Sequence, residues 1–160
     1  MRNQTGLTVL AIGLFAGTLD IGENLIFNLT RGVSPATVFQ YIACGLIGPV
    51  AFQGGFASIC LGVVLHYLIA LFWTTLFYLA SLKLPIARRH VILTGLIYGL
   101  AIYLAMNLVV LPSSRVPHSH PISTASMVNG VLALMLCIGL PVSIITSRYL
   151  TRESRERVVM

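Results

Sequence analysis

Thr5–Leu29, TGLTVLAIGLFAGTLDIGENLIFNL, is the stretch that decides the fold. Its first fifteen residues, through Leu19, are almost unbroken apolar sequence. A helix rises ~1.5 Å per residue, so this part spans roughly 22 Å against a hydrocarbon core of about 30 Å. To cross, the helix must continue through DIGENLIFNL and carry Asp20 and Glu23 with it. A charged residue near a bilayer centre costs about 2.5–3.5 kcal/mol on an insertion scale. No other carboxylate occurs before Glu153, so the pair asks for a functional reason.

The whole chain belongs to the same medium. Of its 160 residues 57% are hydrophobic and 9% charged, with mean hydropathy +0.93. A soluble domain carries about 25% charged residues. The expectation is an all-α integral membrane four-helix bundle, a single domain over 1–160 in contact with the lipid bilayer. Its spans fall at about 5–29, 56–82, 91–111 and 122–148. No room is left for a separate soluble domain, so the formal charge of +6 is not read as a nucleic-acid signal.

The basic residues set an orientation. With the loop KLPIARRH (Lys83 to His90) in the cytoplasm, both termini are cytoplasmic. Arg2, Lys83, Arg88, Arg89, Arg148, Arg152, Arg155 and Arg157 then lie inside, against Arg31 and Arg115 outside. That is the positive-inside bias. A cleaved signal peptide is disfavoured, since one Arg precedes the apolar run and no A-x-A site follows it.

Between the first two spans, SPATVFQYIACGLIGPVAFQGG (Ser34–Gly55) holds a short helix over about 35–47. Ser34 reads as its N-cap and Pro35 as its first residue, and Gly48-Pro49 ends it. It is too short to cross, so it is expected as an interfacial or re-entrant helix on the outer side. Small residues recur at helical spacing: Gly6, Gly13 and Gly17; then Gly54, Ser58, Gly62, His66 and Ala70; then Gly95 and Gly99. Such stripes let membrane helices approach closely, and a spare one offers a face for a homodimer or a larger complex. Pro141 should kink the fourth span near Cys137. Cys44, Cys60 and Cys137 have no CxxC spacing and read as small packing residues.

Depth counting gathers the polar residues. From the outer ends Asp20 lies about nine residues in, Glu23 about six and His66 about ten. Asn107 precedes Pro112 by five residues and Asn129 follows Ile122 by seven. All fall in the outer half of the bilayer at ~1.5 Å per residue. The inner half reads as almost wholly Leu, Ile, Val, Ala and Phe, a seal beneath an outward-facing pocket. Asp20 and His66, each following a glycine stripe, are expected in direct contact. Asn24 shares the face of Asp20 and Glu23. Two carboxylates one turn apart in low dielectric should not both ionise. The candidate ligand or ion site is therefore Asp20, Glu23, Asn24, His66, Asn107 and Asn129. Each asparagine and His66 also has a structural reading, as a helix-joining hydrogen bond.

The outer loop PSSRVPHSHP (Pro112–Pro121) offers His118 and His120 as a metal pair for zinc or copper, with no third ligand evident. A bis-histidine haem would need two deep histidines, and the chain has only His66. No cofactor is indicated. Nucleotide loop, HExxH, GxSxG and CxxC are all missing from the sequence, so nothing marks an enzyme.

GTLDI (Gly17–Ile21), IACGLIGPVAFQGG (Ile42–Gly55), LGVVLHYLIA (Leu61–Ala70) and YGLAIYLAMNLVVLP (Tyr98–Pro112) resemble a group of small four-span bacterial membrane proteins of unknown activity. The resemblance runs from about Phe15 to Pro141 and implies a bacterial inner-membrane protein. It brings no substrate or catalytic residue. Three functions follow as expectations: an outward pocket binding a small molecule, proton or cation, with transport through a homodimer; an accessory subunit of a membrane complex; or an intramembrane enzyme on a lipid-soluble substrate.

Overall fold

The computed structural model describes residues 2–84, 89–117 and 123–159, and these contain helices and no strand. Helix α1 covers Arg2–Thr30, α2 Pro35–Ile47, α3 Gly55–Lys83, α4 Val91–Ala105, α5 Thr124–Ala133 and α6 Leu140–Val159. Two π-helical segments, Met106–Val110 and Leu134–Gly139, extend α4 and join α5 to α6. Four helical stretches are long and apolar enough to cross a membrane: Gln4–Thr30, Gly55–Lys83, Val91–Val110 and Thr124–Arg152. The chain is a multi-pass membrane protein built as a four-helix bundle, with α2 between the first two spans.

Local chemistry sets the ends of α2. The Ser34 hydroxyl accepts the Thr37 N–H at 3.2 Å, and Pro35 occupies the first turn. Gly48, at φ 78, closes the helix by donating its N–H to the Cys44 carbonyl at 2.8 Å. A 3-10 turn over Pro49–Gln53 then leads into α3. Helix α2 packs against the first turns of α3, its Phe39 carbonyl lying on Gly62, where a Cβ would strike it. Ala43, Cys44, Ala51 and Val116 form a small apolar cluster beneath α2. The Arg115 N–H donates to the Gly45 carbonyl at 3.0 Å, which ties the loop after α4 to the same cap.

The main core, Ile12, Ala16, Phe77, Ile102, Ile138 and Val142, draws on all four spanning stretches. Pro141 does disturb the fourth span, and the disturbance takes a particular form. The Leu140 N–H reaches back five residues to the Met135 carbonyl, so the turn before the proline is widened. A wide turn accommodates a ring that carries no N–H and would clash with a carbonyl in a regular helix. Helix α4 lies directly on this segment. A Cβ on Gly139 would collide with the Gly95 carbonyl, and one on Gly99 with Met135 backbone. Gly13 and Gly17 are likewise occupied, by Leu71, Thr74, Ala70 and Tyr67 of α3. The glycine stripes are therefore used within the chain, and only Gly6, Gly22, Gly32 and Gly55 face open space.

The Lys83 end adds a detail to the expected apolar inner half. The buried face there is not purely hydrocarbon: Thr74, Ser81, Ser143 and Thr146 are fully buried, and Ser147 nearly so. Hydroxyl residues are small enough to sit between packed helices, and a reading by dominant residue type passes over them.

Candidate functional site

Asp20 and Glu23 lie one turn apart on α1, both half-buried, within electrostatic reach of each other. Helix α1 holds them against the fourth span through the core residues Ile12 and Ala16. The Asn129 amide of α5 donates to Glu23 Oε2 at 3.3 Å. Among the described residues it is the hydrogen bond that joins a carboxylate of the expected polar set to another helix. Cys137, in the π-helical segment, is within electrostatic reach of both acids. The site is thus a seam between α1 and the α5–π segment, made of Asp20, Glu23, Asn129 and Cys137.

His66 does something else. It is buried, and its Nε2–H donates to the Gly17 carbonyl at 2.8 Å, not to Asp20. A carbonyl only accepts, so this bond fixes Nε2 as the protonated nitrogen. Beside it, the Tyr67 and Thr18 hydroxyls meet at 3.0 Å. Both contacts exist because Gly17 lets α3 approach: a Cβ there would stand 3.0 Å from the Ala70 Cβ. The same glycine stripe that brings His66 to α1 thereby offers it the backbone before any side chain. His66 clamps two helices one turn below Asp20, and the expected direct contact is not formed.

Two other members bond within their own helices. The Asn28 amide donates to the Asn24 carbonyl and to its Oδ1 at 2.9 and 3.0 Å. The Asn107 amide donates to the Tyr103 carbonyl at 2.9 Å, at the start of a π-helical segment. His118 and His120 lie outside the described residues. Among the described residues no three metal-ligating side chains come together.

The space at the site also lies elsewhere than expected. Two shallow hollows of similar size lie against α1, one of about 370 Å³ lined by Leu7, Thr8, Ala11, Ile12, Phe15 and Ile145 and one of about 360 Å³ lined by Thr18, Leu19, Gly22, Glu23 and Ile26; only the second includes an ionisable side chain. All of its lining residues belong to α1, and neither Asp20 nor His66 is among them. Leu19 and Ile26 give it apolar walls and Gly22 a floor without a side chain, with nothing within 4 Å of where a Cβ would be. Glu23 is its ionisable group. Cys137 and Gly22 escaped the sequence reading, since neither carries a mark that separates it from a packing residue. Comparison with known protein families, curated proteins and solved structures finds no match.

Proposed function

We propose that this chain is a bacterial inner-membrane protein that binds a hydrophobic monovalent cation at Glu23 and Asp20, the ligand entering sideways from the bilayer. The observation that carries the reading is the groove of about 360 Å³ with Glu23 in its wall and apolar residues on either side. A carboxylate in low dielectric attracts a cation far more strongly than it would in water, while the walls favour the ligand's apolar part. Asn129 orients the carboxylate and leaves its remaining lone pairs for the ligand. Asp20 lies one turn below, and a cation held at Glu23 would relieve the repulsion between the two carboxyl groups. The basic bias toward the Lys83 end supports a cytoplasmic position for that end, with the site in the outer leaflet.

The test is equilibrium binding of tetraphenylphosphonium to the protein in lipid nanodiscs. Glu23→Gln is expected to abolish saturable binding, and Gly22→Leu to block it by filling the groove floor. Binding by wild type should weaken as pH falls, because protons compete for the same oxygens. Equal binding by wild type and Glu23→Gln would overturn the proposal.

A further inference from the structure

We propose that the ligand is a linear long-chain ammonium ion, its head at Glu23 and its alkyl chain laid along α1 into the hollow at Ala11. This deepens the proposed function and rests on it: Glu23 holds the charge, and the hollow at Ala11 sets the shape of what carries it.

The two hollows share one face of one helix. Thr8, Ala11 and Phe15 line the first, and Thr18, Gly22 and Ile26 line the second. Successive members of that series are three or four residues apart, so they stack along a single stripe. Gly13 and Gly17 lie on another side of α1, turned to α3. Phe15 and Thr18, where the hollows meet, are both exposed, which leaves the path between them open to the bilayer. Ile145 of α6 adds a wall at the Ala11 hollow, making it a recess between two helices.

Length and chemistry then select the ligand. Ala11 lies twelve residues before Glu23, ~18 Å along the helix axis. A hydrocarbon core of about 30 Å holds two lipid chains end to end, so the path matches roughly one such chain. The Thr18 hydroxyl donates to the Leu14 carbonyl at 2.8 Å and the Thr8 hydroxyl to the Gln4 carbonyl at 2.9 Å. Each hydroxyl has one hydrogen, so both donors are spent within α1 and the stripe offers methyl and ring surface. Glu23 is the only ionisable side chain lining either hollow, and it stands near one end of the stripe. A charge at one end of an apolar path is the complement of a single-chain cationic amphiphile. Lipid tails are as apolar as the path, so the chain is held by close packing in the recess and selected by shape. A compact cation fills the Gly22 groove alone.

The experiment uses tetradecyltrimethylammonium carrying a diazirine either beside the nitrogen or at the last carbon. Each probe is photolysed with the full chain in lipid nanodiscs, and the adducts are mapped by peptide mass spectrometry. The head probe is expected to label Thr18–Ile26, and the tail probe Leu7–Phe15 and the segment around Ile145. Glu23→Gln should lower both sets roughly tenfold, as for losing a hydrogen-bonded charge. Ala11→Phe fills the recess from an exposed position, so tail adducts should leave Leu7–Phe15 and Ile145. Its binding of tetraphenylphosphonium should equal that of wild type, which also shows that the variant is folded. Val64→Phe, on the exposed surface of α3, should change neither readout. The inference is overturned if wild-type tail adducts spread over all four spans or fall with the head on Thr18–Ile26, or if Ala11→Phe labels like wild type. With head labelling still dependent on Glu23, those results leave the proposed function standing. Head labelling and tetraphenylphosphonium binding unchanged in Glu23→Gln overturn both.

Discussion

Thr74, Ser81 and Thr146 each bury a hydroxyl that has no partner among the described residues, whereas Thr8, Thr75 and Thr151 turn theirs to a carbonyl one turn back at 2.7–2.9 Å. A buried polar group left unmade costs about 1–3 kcal/mol. Thr74→Val and Thr146→Val replace a hydroxyl by a methyl of similar shape and should therefore leave stability unchanged or raise it. Thermal unfolding in detergent reads this, and a marked destabilisation by either would show that the hydroxyl has a partner worth keeping. Glu23 and Asn129 make the opposite case, a joined pair. A double-mutant cycle with Glu23→Gln and Asn129→Leu should give a coupling of about 0.6–1.7 kcal/mol, the range for hydrogen bonds between membrane helices. At this scale residue counting yields levels and not directions. Counting residues put Asp20, His66 and Asn129 at similar depth, but a depth leaves the angle around each helix open. His66 therefore met the Gly17 carbonyl and Asn129 met Glu23.

The contact between α4 and the π-helical segment Leu134–Gly139 is the tightest test of packing between elements. A Cβ on Gly99 would stand 2.5 Å from the Leu134 carbonyl oxygen and 2.7 Å from the Met135 nitrogen, and backbone cannot yield as a side chain can. Gly99→Ala should destabilise the bundle by about 1–3 kcal/mol, while Gly22→Ala, with open space around it, should leave thermal stability as it is. Equal melting temperatures for the two would contradict this packing. Helix α2 has its own probe. Its own Cys44 is fully buried, and burial pushes the thiol above its ordinary range, while Cys60 is exposed on the surface of α3. A membrane-permeant maleimide should modify Cys60 and leave Cys44 intact until the protein is unfolded. Helix α2 was readable from Ser34, Pro35 and Gly48 because caps act locally. A disturbance of the helix at Pro141 was readable for the same reason. The i−5 bond register around it was not, because a widened turn depends on what packs beside it, here Gly95 and Gly99.

Across the whole molecule, length and hydropathy were enough to place four spans, because a bilayer demands about 20 apolar residues per helix and satisfied backbone bonds throughout. The same feature hides the site. When every outward side chain is apolar, a lipid-facing groove and an ordinary lipid-facing surface have the same composition. Only the three-dimensional arrangement sets Gly22 between Leu19 and Ile26, with Glu23 alongside. The glycine stripe of α1, Gly13 and Gly17, faces α3, and under the proposed function a different face of α1 serves the ligand. The most direct measurement is photo-crosslinking in nanodiscs with a hydrophobic quaternary ammonium carrying a diazirine, followed by peptide mapping. The prediction is that saturable adducts fall on Thr18–Ile26 and disappear in Glu23→Gln. Adducts spread evenly over the lipid-facing residues of all four spans, or unchanged in Glu23→Gln, would contradict the account.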